Sequence, residues 1–304
     1  MRIGFIGLGM MGHHMVANLQ NAGHELVVYD VRREAGEQAL SRGARWAETP
    51  ADAARQTEIV MTSLPGPREV ELVALGETGI IGGARPGTFY VDLSTSSPTL
   101  IRRLHQGLGE RGVRVADAPV SGGVVGAEEA SLQIMVGCDP DVFEKIKPAL
   151  QPIGDKITWI GEVGAGAVAK LVHNQLSMVV QQAVAEALTL GTKAGIRPDK
   201  LLEAIRGGAY GRSGGGIGPN LEKTQLQGDW DRPRFALALA RKDIGLATDL
   251  AAEFGVPMPL ATLAEQTLIE CVNRGWGARD STAAWALQEE RAQVQVRVTL
   301  PAAT

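Results

Sequence analysis

The chain has 304 residues, 44% of them hydrophobic and 21% charged, which suits two globular domains better than one core. A net charge of −4 and no basic run longer than Arg32-Arg33 argue against a nucleic-acid partner. Two cysteines, Cys138 and Cys271, stand far apart without zinc or redox spacing, so they read as reduced thiols of a cytoplasmic protein with no metal. The start, Met1-Arg2 followed by Ile3-Gly4-Phe5-Ile6-Gly7, is too short and glycine-rich for a signal peptide. The most membrane-like stretch, 168–190, carries Lys170, His173, Asn174, Gln181, Gln182 and Glu186, which hydrocarbon would not accept, so the expectation is a soluble protein.

In chain order, apolar runs at 3–6, 26–29, 59–64, 88–93, 113–117, 132–136 and 157–160 predict strands. Helical patterns fall between many of them, at 10–20, 32–41, 98–110 and 141–150. That alternation predicts an α/β fold: a doubly wound, mostly parallel Rossmann-type sheet with helices on both faces. The strand runs alternate little, as strands buried on both sides do. Beyond Gly161 the texture changes. A proline-free stretch from Gly164 to about Gly195 predicts one helix about 45 Å long. Further helices are expected at 198–205, 235–254, 257–273 and 281–291, with Pro198 and Pro257 suited to first turns. The expected organisation is a dinucleotide-binding domain, 1–163, and an all-helical domain, 164–304. The segment from Gly207 to Gly218 is either a plain connector or a substrate lid.

Gly7-Leu8-Gly9-Met10-Met11-Gly12 follows the first strand and opens the first helix. Gly7 allows the tight turn, Gly9 lets a pyrophosphate approach the backbone, and Gly12 lets helix pack on strand. The helix N-terminus then offers free N–H groups to phosphate. The second strand ends at Asp30, near the interval expected of an acid that binds the adenosine ribose. A carboxylate there repels a 2′-phosphate, which favours NAD over NADP, although Arg32 and Arg33 stand close behind. Later strand ends put Leu64-Pro65 and Leu93-Ser94-Thr95 where a doubly wound sheet meets its cofactor, or leave them as ordinary loops.

Asp117-Ala118-Pro119-Val120-Ser121-Gly122-Gly123 ends a strand in a turn with exposed N–H groups and a hydroxyl, able to hold a carboxylate or simply to join strand to helix. Lys170 and Asn174 lie four apart on one face of the long helix. A lysine among apolar neighbours either snorkels or serves as an amine whose pKa burial lowers towards neutrality.

These segments, with Asp92-Leu93-Ser94-Thr95, the run from Gly166 through Lys170 to Asn174, and Lys242-Asp243, resemble the β-hydroxyacid dehydrogenase family in order and spacing. The likeness is strongest to 3-hydroxyisobutyrate dehydrogenases and tartronate semialdehyde reductases. It implies hydride exchange between NAD and a small β-hydroxy acid or semialdehyde. Lys170 is then the general acid/base, and Ser121, Gly122 and Gly123 hold the carboxylate. Asn174 orients Lys170 and substrate, while Lys242 closes on cofactor and substrate. It further implies a homodimer or homotetramer built through the helical domain. Two positions depart from the pattern. His173 stands where the 3-hydroxyisobutyrate enzymes commonly carry asparagine, and in this the chain resembles 6-phosphogluconate dehydrogenases instead; Ala130 replaces a usual glycine. The other activities this scaffold admits are L-serine oxidation, a short 6-phosphogluconate-like reaction, imine reduction and a catalytically silent dinucleotide-binding module. Imine reductases usually lack a lysine at the position of Lys170.

Overall fold

The computed structural model describes residues 1–208, 211, 221 and 225–298. The chain forms two compact units, Met1–Leu171 and Val172–Thr304.

The first unit contains nine strands: β1 (Arg2–Ile6), β2 (Glu25–Tyr29), β3 (Arg45–Trp46), β4 (Ile59–Thr62), β5 (Phe89–Asp92), β6 (Arg114–Asp117), β7 (Val120–Ser121), β8 (Gln133–Gly137) and β9 (Lys156–Gly161). Their order in the sheet is β3-β2-β1-β4-β5-β6-β8-β7, with β9 also pairing β8. From β3 to β6 every pairing is parallel, the doubly wound order whose direction of winding reverses between β1 and β4. Beyond β6 the sheet departs from that pattern, because β8 runs antiparallel to β6 and to β7.

Two-sided burial explains the unbroken apolar strands. Ile3 and Phe5 of β1, Leu26 and Val28 of β2, and Ile59 and Met61 of β4 enter one core. Ile6, Val27 and Val60, one step along the pleat, enter the other. Each such side chain contributes about 1.5–3 kcal/mol when fully buried.

The helices of this unit are α1 (Gly12–Asn21), α2 (Glu37–Ser41), α3 (Pro50–Arg55), α4 (Pro67–Leu75), α5 (Pro98–Gly109), α6 (Gly123–Glu128), α7 (Pro140–Leu150) and the start of α8 (Ala165–Lys193). Several differ from the sequence expectation. The first helix begins at Gly12 rather than residue 10, and the segment 32–41 splits into a 3-10 turn, Arg33–Gly36, and α2. The split falls where Gly36 meets Trp46, whose ring would lie 2.7 Å from an added Cβ. Strands β3 and β7 and helices α3, α4 and α6 arise where no element was expected. Helix α3 has a local signal nonetheless, since the Thr49 hydroxyl caps it by accepting from the Asp52 N–H at 3.1 Å and Pro50 opens it.

The second unit holds the rest of α8, then α9 (Pro198–Gly207), α10 (Leu237–Glu253), α11 (Pro259–Asn273) and α12 (Ala284–Ala292). Pro198 opens α9 as expected, but Pro259, not Pro257, opens α11. Leu188, Leu202, Leu237, Ile244, Leu268 and Trp285 anchor its core. The loop from Gly207 to Gly218 lies outside the described residues except for Gly207, Gly208 and Gly211. Cys138 and Cys271 are free and buried, and burial pushes their thiols up to about 12 and about 11. Among the described residues no helix is long and apolar enough to cross a membrane.

Candidate active site

The glycine loop leaves β1 at the point where the strand order reverses. Gly7 has φ 98°, and a Cβ there would stand 2.3 Å from the Ser63 carbonyl oxygen. A Cβ on Gly12 would stand 1.9 Å from the Gly7 carbonyl oxygen. The protein's own packing therefore requires glycine at both positions. At Gly9 it does not, for a Cβ would meet nothing within 4 Å. The open space beside Gly9 is what close approach of a pyrophosphate needs, and the loop fits a dinucleotide in that respect. Leu8 is buried, Met10 is 60% exposed, and Met11 is the residue just before α1.

Asp30, one residue past β2, braces this loop. Its Oδ2 accepts from the Leu8 N–H at 2.8 Å, and its Oδ1 accepts from the Arg32 N–H at 2.9 Å. The Arg32 Nε lies 3.8 Å from Oδ1. Arg33 is engaged elsewhere, 3.5 Å from Glu48 and over the Trp46 ring at 5.1 Å. His13, to which the sequence reading gave no role, places Nδ1 2.8 Å from the Gly9 carbonyl oxygen. Past β4, the Leu64 N–H donates to the Ser94 hydroxyl at 2.9 Å, which joins the β4 and β5 loops. Pro65 is exposed in the first loop and Thr95 half-buried in the second.

Ser121 ends the short β7. Gly122 and Gly123 follow with φ of 135° and 65°, values that favour glycine and turn exposed backbone outward. Ala130 sits at φ 57°, in the left-handed region that favours glycine.

Helix α8 begins against the ends of β6 and β8. The Asp117 carboxylate accepts from the Gly164 N–H at 2.7 Å and the Ala167 N–H at 2.6 Å, filling first-turn donors that have no acceptor inside the helix. Lys170 follows one turn later and is 8% exposed. His173 is exposed, whereas Asn174 is buried. In the second unit Asn174 Nδ2 donates to Asp243 Oδ2 at 2.5 Å. The Lys242 Nζ lies 2.8 Å from the other oxygen, Oδ1, and Asp243 is 2% exposed. Asp243 thus joins two residues that the sequence pattern singles out, whereas the pattern marks Asp243 itself only as a neighbour of Lys242. Among the described residues no group of three or more His, Cys, Asp or Glu side chains could hold a metal ion.

A doubly wound sheet with a braced glycine loop, an acid at the end of β2 and a helical second unit define a nicotinamide-dinucleotide oxidoreductase. Residues 2–161 match the NAD-binding domain of 6-phosphogluconate dehydrogenase, and residues 164–287 match the NAD-binding region of NADP-dependent 3-hydroxyisobutyrate dehydrogenase. The chain is 37% identical to 2-(hydroxymethyl)glutarate dehydrogenase of Eubacterium barkeri over 97% of both chains. It is 35% identical to 2-hydroxy-3-oxopropionate reductase of Escherichia coli over 93% of this chain and 95% of that one. The solved 3-hydroxyisobutyrate dehydrogenase of Mycobacterium tuberculosis with L-serine superposes with a TM-score of 0.84 at 32% identity, covering 94% of this chain and 98% of that one. The chain belongs to the β-hydroxyacid dehydrogenase family, whose members are NAD(P)-dependent.

Proposed function

We propose that the protein oxidises the hydroxyl carbon of a small β-hydroxy acid, or reduces the matching semialdehyde, with NAD preferred to NADP. The substrate class extends to the chain what its relatives' names say they act on: short acids with a hydroxyl near the carboxylate. The observation that carries the reading is Lys170, a buried lysine one turn into a helix braced by the sheet.

When bound, the dinucleotide supplies the hydride acceptor for oxidation and the donor for reduction. In oxidation the neutral Nζ of Lys170 takes the hydroxyl proton as the C–H bond gives up its hydride. In reduction the ammonium returns that proton to the alkoxide oxygen. Ser121 Oγ and the N–H groups of Gly122 and Gly123 hold the carboxylate and so place the hydroxyl. Asn174 and Lys242 contribute from the helical unit, oriented by Asp243. Gly7 to Gly12, Leu64, Pro65 and Thr95 line the dinucleotide. Asp30 favours NAD because a 2′-phosphate would meet a like charge. The protein is proposed to work in the cytoplasm as a homo-oligomer built through the helical unit, which exposes Leu190, Phe254, Leu260 and Leu263.

Lys170→Ala tests the assignment. A general acid/base contributes about 10²–10⁴-fold, so kcat should fall by that factor while the dinucleotide Kd stays within about twofold. A variant that kept more than about a tenth of the wild-type rate would refute the role. A panel of small hydroxy acids, with 3-hydroxyisobutyrate, L-serine and tartronate semialdehyde among them, identifies the substrate.

A further inference from the structure

Asp117 is 1% exposed at the end of β6, and its two oxygens are shared between the Gly164 and Ala167 N–H groups. The contact is close on every side. A Cβ on Gly137 would lie 2.6 Å from Asp117 Oδ1, and one on Gly166 would lie 2.9 Å from Oδ2 and 2.3 Å from the Met135 carbonyl oxygen. The carboxylate therefore pins the first turn of α8 to the ends of β6 and β8, with its charge at the positive end of the helix.

Two chemically important segments leave this one residue. Along the chain, Ser121 follows four positions later. Across the hydrogen bond, Lys170 follows Ala167 by three residues, a rise of about 4.5 Å. We infer that Asp117 is a positioning residue, which sets the distance between the Lys170 amine and the Ser121–Gly123 turn. The inference rests on the assignment of Lys170 as acid/base.

A charge at this depth is costly. Burial pushes the Asp117 carboxyl up to about 6 against the pull of the backbone N–H groups of Gly164, Ala167 and Asp117 itself, so keeping it ionised near neutral pH costs free energy. Asp92 on β5 and Cys138 just past β8 are titratable groups that interact with it, and Asp92 adds to the upward push. What the ionised form provides is two acceptor oxygens for two helix donors held in one geometry. Tolerance at a reacting centre is narrow, and a displacement of about 1 Å can cost about 100-fold.

The test compares Asp117→Asn, Ala167→Pro and Lys170→Ala with the wild type, all in the full-length protein. Asparagine keeps the volume but presents one donor where an acceptor stood. Proline at the third residue of α8 removes one N–H from the same contact without removing a hydrogen bond inside the helix. Dinucleotide titration counts the folded molecules, and kcat is expressed per molecule that binds. Asp117→Asn should lose about 10- to 100-fold in kcat, with KM for dinucleotide and hydroxy acid changed less than about threefold. Ala167→Pro should show the same split, and it decides the matter if Asp117→Asn binds no dinucleotide. Should Lys170→Ala be inactive while the deciding variant keeps kcat within twofold of wild type, Asp117 is structural only and the catalytic assignment stands. If Lys170→Ala stays active, the catalytic assignment falls and the inference falls with it.

Discussion

Replacing Asp30 with alanine separates two roles that meet in one carboxylate. Its side chain is only 10% exposed, and both oxygens already accept backbone N–H groups, from Leu8 at 2.8 Å and Arg32 at 2.9 Å. Alanine leaves the buried Leu8 N–H without that acceptor, at a cost of about 1–3 kcal/mol. In a unit of this size that cost should lower Tm by roughly 2–12 °C, and it weakens NAD and NADP alike because the loop serves both. A second loss falls more heavily on NAD. Its ribose hydroxyls give up charge-assisted hydrogen bonds worth about 1.5–3 kcal/mol, whereas NADP escapes a like charge. Arg32, exposed and 3.8 Å from the carboxylate, is then free to meet a 2′-phosphate. Since about 1.4 kcal/mol is tenfold, the ratio of kcat/KM for NAD over NADP should fall by about 10- to 100-fold. Both cofactors are measured with both proteins at one salt concentration, and melting is followed without cofactor. A wild type that already favours NADP, or a ratio unmoved while Tm drops, would leave Asp30 as a loop brace only and end the argument for NAD.

Three further expectations follow from single residues. Asp117 has a folded-state pKa of about 6 against an ordinary 3.8, so between those values the native state holds a proton the unfolded chain has lost. Its contribution therefore turns unfavourable as pH rises from about 4 to 6, by up to about 3 kcal/mol. The stability difference between wild type and Asp117→Asn, from urea unfolding, should shift against the wild type over that range; a flat difference refutes the shift. Ala130→Gly relieves about 1–2 kcal/mol of left-handed strain at a chain-entropy cost of about 0.5–1 kcal/mol, so Tm should rise slightly, and a fall would contradict the reasoning. Ser121→Ala should raise KM for the hydroxy acid more than it lowers kcat, because a carboxylate is held alike in ground and transition states. A neutral alcohol that proved an equally good substrate would rule out a carboxylate pocket.

The sequence by itself determined whatever is written in neighbouring residues. The runs in β1, β2 and β4 are apolar with little alternation because both faces are buried, and it was the alternation of such runs with helical segments that implied a parallel sheet between two helical layers. Gly7 and Gly12 carry their turn in their own lack of a side chain, and the spacing of Lys170 and Asn174 follows from the helical period. Elements two residues long, β3 and β7, have too few side chains to show a period, and only their partner strands create them. The sequence also put the first turn of α11 two residues early, at Pro257, because either proline satisfies the local rule. The contacts that organise the site belong to tertiary structure. Asp117 reaches donors 47 and 50 residues away, and Asp243 meets Asn174 across 69. A hydrogen bond closed over such distances leaves no mark on the residues next to it, since a carboxylate that will brace a helix and one that will face water are spelled alike. Packing alone decided between them, by bringing Gly137 and Gly166 close enough to leave Asp117 no water and two N–H groups to accept from.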